Sequence, residues 1–302
     1  MLCSGFRGLM AGLLALALGA MPRTPPGGAR DVPIHVVVRP VINMYSAPRE
    51  DAAVVSQALL SQGLRELERK EGWVRVMGAD DYTGWVQLSG LRNLGRAEGA
   101  GLPREVGKVV EVDALGANLY REPDVTKHAP ILTAPFGALL ERVNGGRDTP
   151  RWIEVRLPDR QLAWIQVGDV RTDLKPLDME ASLRLARRFL GVTYTWGGSS
   201  SFGFDCSGFT QTILRSRGVL MPRDARLQVN WPGLTPVAER AQLLPGDLLF
   251  FGNDPAQITH TGIYLGQGAF IHDTPRGRPG VQISELGKDD WSHLLVAMRR
   301  LK

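Results

Sequence analysis

Cysteine is nearly absent from this chain: Cys3 and Cys206 are the only two in 302 residues, so a disulfide-stapled scaffold is excluded. Long apolar runs are missing as well. The longest, residues 9–20 (LMAGLLALALGA), falls short of the roughly 20 residues that a bilayer-spanning helix needs, so stable membrane insertion is not expected. Neither charge sign accumulates. The 36 Lys and Arg face 31 Asp and Glu for a formal net charge of +5, with no run of five like charges, so no nucleic-acid footprint is expected. Metal-ligand spacing is lacking too, since no CxxC or HxxxH pairing occurs, and neither a metal nor an organic cofactor is expected. What remains is a globular composition, 43% hydrophobic and 22% charged, whose 35 Gly and 20 Pro predict many turns.

The apolar run follows a single Arg7, ends in small residues and precedes MPRTPPGGA. Residues 1–20 therefore read as a secretory signal peptide, which implies an exported protein of the periplasm or the cell wall and exterior. Cys3 lies ahead of the run, where it cannot serve as a lipid anchor after cleavage. Removal of the signal leaves Cys206 as the sole thiol of an exported chain, a reason to examine its surroundings.

One pattern occurs twice. Asn43-Met44-Tyr45-Ser46-Ala47-Pro48 is followed by Gly63, Trp73-Val74-Arg75-Val76 and Gly84-Trp85-Val86-Gln87. Further on, Asn118-Leu119-Tyr120-Arg121-Glu122-Pro123 is followed by Gly137, Trp152-Ile153-Glu154-Val155 and Ala163-Trp164-Ile165-Gln166, with the same interval between tryptophans. Period-two alternation punctuated by Gly, Pro and Asp predicts two small β-barrels, at residues 33–95 and 105–175, with the four tryptophans in their cores. Residues 93–104 and 171–178 read as linkers. From Met179 the period changes: Met179, Leu183, Ala186, Phe189 and Leu190 share one helical face, so a third domain opens there and occupies residues 178–302.

The chemistry concentrates in this third region. Asp205 in Phe204-Asp205-Cys206-Ser207-Gly208-Phe209 can cap a helix whose first turn carries Cys206. Helix dipole and free N–H groups there favour a thiolate, the nucleophilic form of cysteine. A base is at hand in His260, and a hairpin turning at Gly266-Gln267-Gly268 would set His272 on the neighbouring strand to orient it. His35, His128 and His293 lack such contexts and read as surface or packing residues.

These residues closely resemble NlpC-type cell-wall cysteine peptidases. The matching motifs are Tyr194-x-Trp196-Gly197-Gly198, the Cys206 segment, Pro222-Arg223-Asp224, Pro245-Gly246-Asp247-Leu248-Leu249-Phe250-Phe251, His260-Thr261-Gly262-Ile263-Tyr264-Leu265-Gly266 and Phe270-Ile271-His272. The repeated pair is similar to bacterial SH3-type domains. The resemblance implies an α+β protein, two small SH3-like β-barrels followed by a papain-like α+β cysteine peptidase domain, with Cys206, His260 and His272 as nucleophile, base and orienting residue. It further implies hydrolysis of the bond between γ-D-Glu and the diamino acid of murein stem peptides, as in γ-D-glutamyl-L-diamino acid endopeptidases that require a free N-terminal L-Ala. Tyr82, Asp205 and Ser207 match residues that bind the substrate amine, Tyr194 and Trp196 lie in the same cleft, and Arg223 either meets a substrate carboxylate or braces the cleft.

Two departures accompany this match. Ala225 stands where some members have serine, and no acid occupies Val55-Ser56-Gln57-Ala58-Leu59, from which related enzymes can supply one. The expected partners are murein stem peptides or peptidoglycan, and the chain is expected to be a monomer. The alternatives are an endopeptidase or amidase acting on intact peptidoglycan, and a wall-binding module without catalysis.

Overall fold

The computed structural model describes residues 34–95 and 108–302, except 144, 146 and 289; the expected signal segment and most of the first linker lie outside them. In the first barrel, β1 (Ile34–Val37), β2 (Val41–Tyr45), β3 (Val54–Leu59), β4 (Gly63–Lys70), β5 (Trp73–Met77), β6 (Thr83–Gln87) and β7 (Leu91–Gly95) form one sheet. Its order is β3-β2-β6-β5-β4-β1-β7. The second repeat supplies β8 (Val109–Val112), β9 (Gly116–Leu119), β10 (Leu132–Pro135), β11 (Leu139–Arg142), β12 (Trp152–Arg156), β13 (Leu162–Gln166) and β14 (Val170–Arg171). They pair as β13-β12-β11-β8-β14 and β10-β9.

The repeat in sequence is a repeat in register. Arg75 faces Trp85 and Glu154 faces Trp164 across their hairpins, while Tyr45 pairs with Trp85 and Tyr120 bridges to Trp164. Tyr45 meets Trp73 edge-on at 5.5 Å, and Tyr120 meets Trp152 edge-on at 5.7 Å. Trp85, Trp152 and Trp164 are buried, yet they pack apart from the aliphatic clusters at the centres of the barrels. Val74, Val76 and Val86 fill the first core and Ile153, Val155 and Ile165 the second. Alternation turns each adjacent tryptophan to the other face of the sheet, where Tyr120, Trp152 and Trp164 make a cluster of their own and Trp73 stays half-buried.

The third domain begins with α1 (Met179–Arg188), whose N-cap Asp178 accepts from the Ala181 N–H. Leu183, Leu185, Ala186 and Phe189 are buried. Leu190, expected on that face, is 46% exposed, because the helix ends before it and Leu185 fills the core instead. A short hairpin, β15 (Ser199–Ser200) and β16 (Gly203–Phe204), leads into α2 (Cys206–Ser216) and α3 (Ala225–Gln228). Then come β17 (Leu234–Pro236), β18 (Leu248–Gly252), β19 (Ile258–Gly266), β20 (Ala269–Thr274), β21 (Gly280–Glu285), α4 (Trp291–Leu294) and β22 (Leu295–Leu301), in the sheet order β17-β22-β18-β19-β20-β21.

Phe189, Phe204, Phe209, Ile263 and Ile271 pack α1 and α2 onto this sheet. Side chains cross every domain boundary. Leu60 of the first barrel sits in the core of the second, and Phe136 of the second packs edge-on against Phe189 at 5.2 Å. The Phe136 N–H also donates to Ser201 Oγ at 3.0 Å. Among the described residues no helix is long and apolar enough to cross a membrane.

Candidate active site

Asp205 caps α2 as the sequence predicts: its Oδ1 accepts from the Gly208 N–H at 2.7 Å, which places Cys206 in the first turn. Gly208 has to be glycine, since a Cβ there would lie 2.1 Å from the Gly198 carbonyl oxygen. Gly197, at φ +73°, lies against the Val54 backbone of the first barrel. The Tyr-x-Trp-Gly-Gly motif therefore seals the helix start against β3.

Cys206 is buried, and burial works against the expected thiolate. Burial pushes the thiol up to about 12 and the Asp205 carboxylate adds to the shift, while the N–H groups of Thr261 and Ser207 and the Arg223 guanidinium pull less strongly the other way. One helix terminus does not repay the loss of water around a charged sulfur. The Thr261 N–H at the sulfur brings Cys206 to the residue next to His260.

The β19–β20 hairpin turns where expected, with Ile263 opposite Ile271. His260 Nε2 lies 2.7 Å from His272 Nδ1, and His272 Nε2 lies 3.0 Å from Ser284 Oγ on β21. An aromatic wall encloses both rings. Trp291 stands 5.2 Å from the His260 ring and 4.8 Å from that of His272, with Phe251 and Phe270 behind them. Burial lowers His260 to about 3, helped by Arg276, and lowers His272 to about 2, helped by His260. Burial thus disfavours the charged form of the thiol and of both imidazoles.

Arg223 is 1% exposed and its guanidinium is fully used. Nη1 donates to Asp205 Oδ1 and Ser207 Oγ, both at 2.9 Å, and Nη2 to Asp205 Oδ2 at 2.6 Å and the Gly198 carbonyl at 3.0 Å. The fifth N–H, on Nε, reaches Ser56 Oγ of β3 at 3.2 Å. With no donor left for a substrate carboxylate, the bracing role is the one that the geometry supports. Ser56 and Gln57 fill the segment that lacks an acid: Gln57 Oε1 accepts from the Ser199 N–H at 3.0 Å. Ala225 is buried in α3.

Tyr82, on the turn before β6, reaches the peptidase domain. Its hydroxyl donates to Asp224 Oδ1 at 3.1 Å, and burial and Asp224 push its pKa up to about 12. Asp80, on the same turn, accepts from Gln211 of α2 at 2.9 Å. Tyr194 is half-buried, and burial and Cys206 hold its hydroxyl protonated. Trp196 stands 72% exposed. Of the remaining histidines, His35 is buried against Glu66 at 2.6 Å, His128 lies at the surface near Glu122, and His293 is exposed.

Three residues escaped the sequence reading. Ser284 and Trp291 depend on strand pairing and on the approach of a distant short helix, which no local motif encodes. Asp273, next to His272, is 0% exposed, and neither of its carboxyl oxygens has a hydrogen-bond partner among the described residues. Burial and Asp205 push it up to about 8, the Thr274 N–H giving slight relief. No group of three or more His, Cys, Asp or Glu suited to a metal occurs among the described residues.

A cysteine at a helix N-terminus facing a sheet that carries paired imidazoles defines a papain-like cysteine hydrolase architecture. The NlpC/P60 family profile matches residues 191–300, and that of the bacterial dipeptidyl-peptidase Sh3 domain matches residues 44–91. The γ-D-glutamyl-L-lysine dipeptidyl-peptidase of Bacillus cereus is 31% identical over 261 residues, 81% of this chain and 74% of the relative. An enzyme of the same name from Bacillus subtilis is 30% identical over 59% of this chain and 64% of its own length. The crystal structure of an NlpC/P60 family protein from Bacillus cereus superimposes with a TM-score of 0.73, covering 89% of this chain and 99% of that one; at 24% identity it shows the fold. The chain belongs to the NlpC/P60 family and is a hydrolase of the cysteine peptidase type.

Proposed function

We propose that the protein is exported and hydrolyses the γ-D-glutamyl-L-diamino acid bond of murein stem peptides with a free N-terminal L-Ala, through a thioester on Cys206. The observation that carries this reading is the run of polar contacts from Ser284 through His272 to His260, whose chain neighbour Thr261 offers its N–H to the Cys206 sulfur. In the productive tautomer, His272 donates through Nε2 to Ser284 and accepts through Nδ1 from His260. The Nδ1 lone pair of His260 is then free to take the thiol proton.

The sulfur attacks the D-Glu γ-carbonyl, and the oxyanion is held by the Cys206 N–H and the protonated Tyr194 hydroxyl. His260 returns the proton to the departing amine, and water then cleaves the thioester. Neutral partners suit this sequence, because charge develops only as the substrate excludes water from the site.

Specificity falls to the end of the cleft toward the first barrel. An ammonium there needs acceptors and negative charge. Tyr82, Ser207 and the carboxylate of Asp205 supply them, Arg223 holds Asp205 in place, and Trp196 offers an exposed apolar face to the peptide. With β3 and the Tyr82 turn docked on the peptidase domain, a short free peptide fits this reading better than a crosslinked wall. Acid quenching during turnover of L-Ala-γ-D-Glu-L-Lys, followed by intact-protein mass spectrometry, is expected to reveal an adduct of the mass of the L-Ala-γ-D-Glu acyl group. Its absence from Cys206→Ala completes the test, whereas turnover by Cys206→Ala would refute the assignment.

A further inference from the structure

We propose that the cavity between the two barrels is a binding site for a small molecule carrying a carboxylate beside a short apolar group. The cavity measures about 400 Å³ and shares no residue with the peptidase site. Strands of both barrels enclose it. Ser61 and Arg92 enter from the first, and Arg156 and Arg160 from the second.

Three features set it apart from a packing defect. First, the Ser61 hydroxyl and Arg92 Nε are buried there without a hydrogen-bond partner, a condition that costs stability unless a ligand meets it. Second, Arg92 and Arg160 form no ion pair among the described residues, whereas Arg156 has Glu141 at 3.6 Å, so the lining carries excess positive charge. Third, Ser61 and Arg160 adopt φ +68° and +77°, the left-handed region where glycine is favoured. Both turns are held by backbone bonds, Ser61 N–H to the Val37 carbonyl at 3.0 Å and Arg160 N–H to that of Leu157 at 2.8 Å. At both places the chain keeps a polar side chain in the cavity.

Planar guanidinium groups suit a carboxylate, to which they can donate in pairs. Leu94, 43% exposed, lines the cavity with them and offers apolar surface that a bare inorganic anion would leave uncovered.

The test is calorimetric titration of the full chain with acetyl-L-alanyl-L-alanine, with its C-terminal amide and with inorganic phosphate, alongside the variants Arg92→Gln and Arg226→Gln. The free acid is expected to bind and the amide and phosphate to bind at least about tenfold more weakly, the loss expected when hydrogen bonds to a charged group are removed. Arg92→Gln is expected to lose a similar factor at unchanged melting temperature, and Arg226→Gln, outside the cavity, to lose nothing. Four results would each overturn the proposal: amide binding equal to that of the acid, phosphate binding as tight as the peptide, no binding of the acid, or an Arg92→Gln variant that melts lower and so marks Arg92 as structural.

Discussion

Cys206, His260 and His272 share one cause for their shifted pKa values: each is enclosed by protein, and enclosure penalises whichever form is charged. Enclosure therefore favours the protonated thiol and the unprotonated imidazoles. A thiol held at about 12 has a thiolate fraction that rises tenfold per pH unit across neutrality. Alkylation of Cys206 by iodoacetamide is accordingly expected to accelerate about tenfold per unit from pH 7 to 10. A rate that levels off below pH 7 would instead indicate a resting thiolate-imidazolium pair. The position of the cysteine was legible in the sequence, because capping is local. Its ionisation was not, because that depends on how much protein surrounds the helix end.

At the scale of elements, helix α2 is held at its start by an ion pair whose two halves lie far apart in the chain. Asp205 and Arg223 are both buried, and their bonds fasten α2, the Gly198 turn and strand β3 together. Arg223→Ala would leave the carboxylate unpaired in a dry site, for which a loss of about 3–5 kcal/mol is expected in denaturant unfolding. A loss under 1 kcal/mol would mean that water or another cation takes over. The motif containing Arg223 was readable, but its role was not. Five hydrogen bonds to four residues in three separate segments are a property of the assembled fold. The tryptophans teach the same lesson, since alternation located their strands without saying which face was the core.

Across the whole molecule, the barrels and the peptidase domain share cores. Leu60 belongs by sequence to the first barrel and by packing to the second. Leu60→Ala is expected to cost about 2–5 kcal/mol, the range for buried leucine truncations, in the thermal or denaturant stability of the intact chain. A change below 0.5 kcal/mol would mean that the junction between the barrels is loose. Such docking bears on function because Tyr82, Ser56 and Gln57 reach the peptidase site only if the first barrel stays in place. The internal repeat and the contiguous motifs made the domain types legible. Contacts between distant segments were not, since each rests on a few side chains without local periodicity.

The central claim is that this site cleaves small stem peptides carrying a free amine. Its most direct test is mass spectrometry of products from L-Ala-γ-D-Glu-L-Lys, the corresponding diaminopimelate tripeptide, N-acetylated tripeptide and intact peptidoglycan, each incubated with the protein and with Cys206→Ala. The account predicts Cys206-dependent release of L-Ala-D-Glu from one or both free tripeptides, with the acetylated peptide and the intact wall cleaved at least about tenfold more slowly. Equal cleavage of the acetylated peptide or of intact peptidoglycan would contradict it.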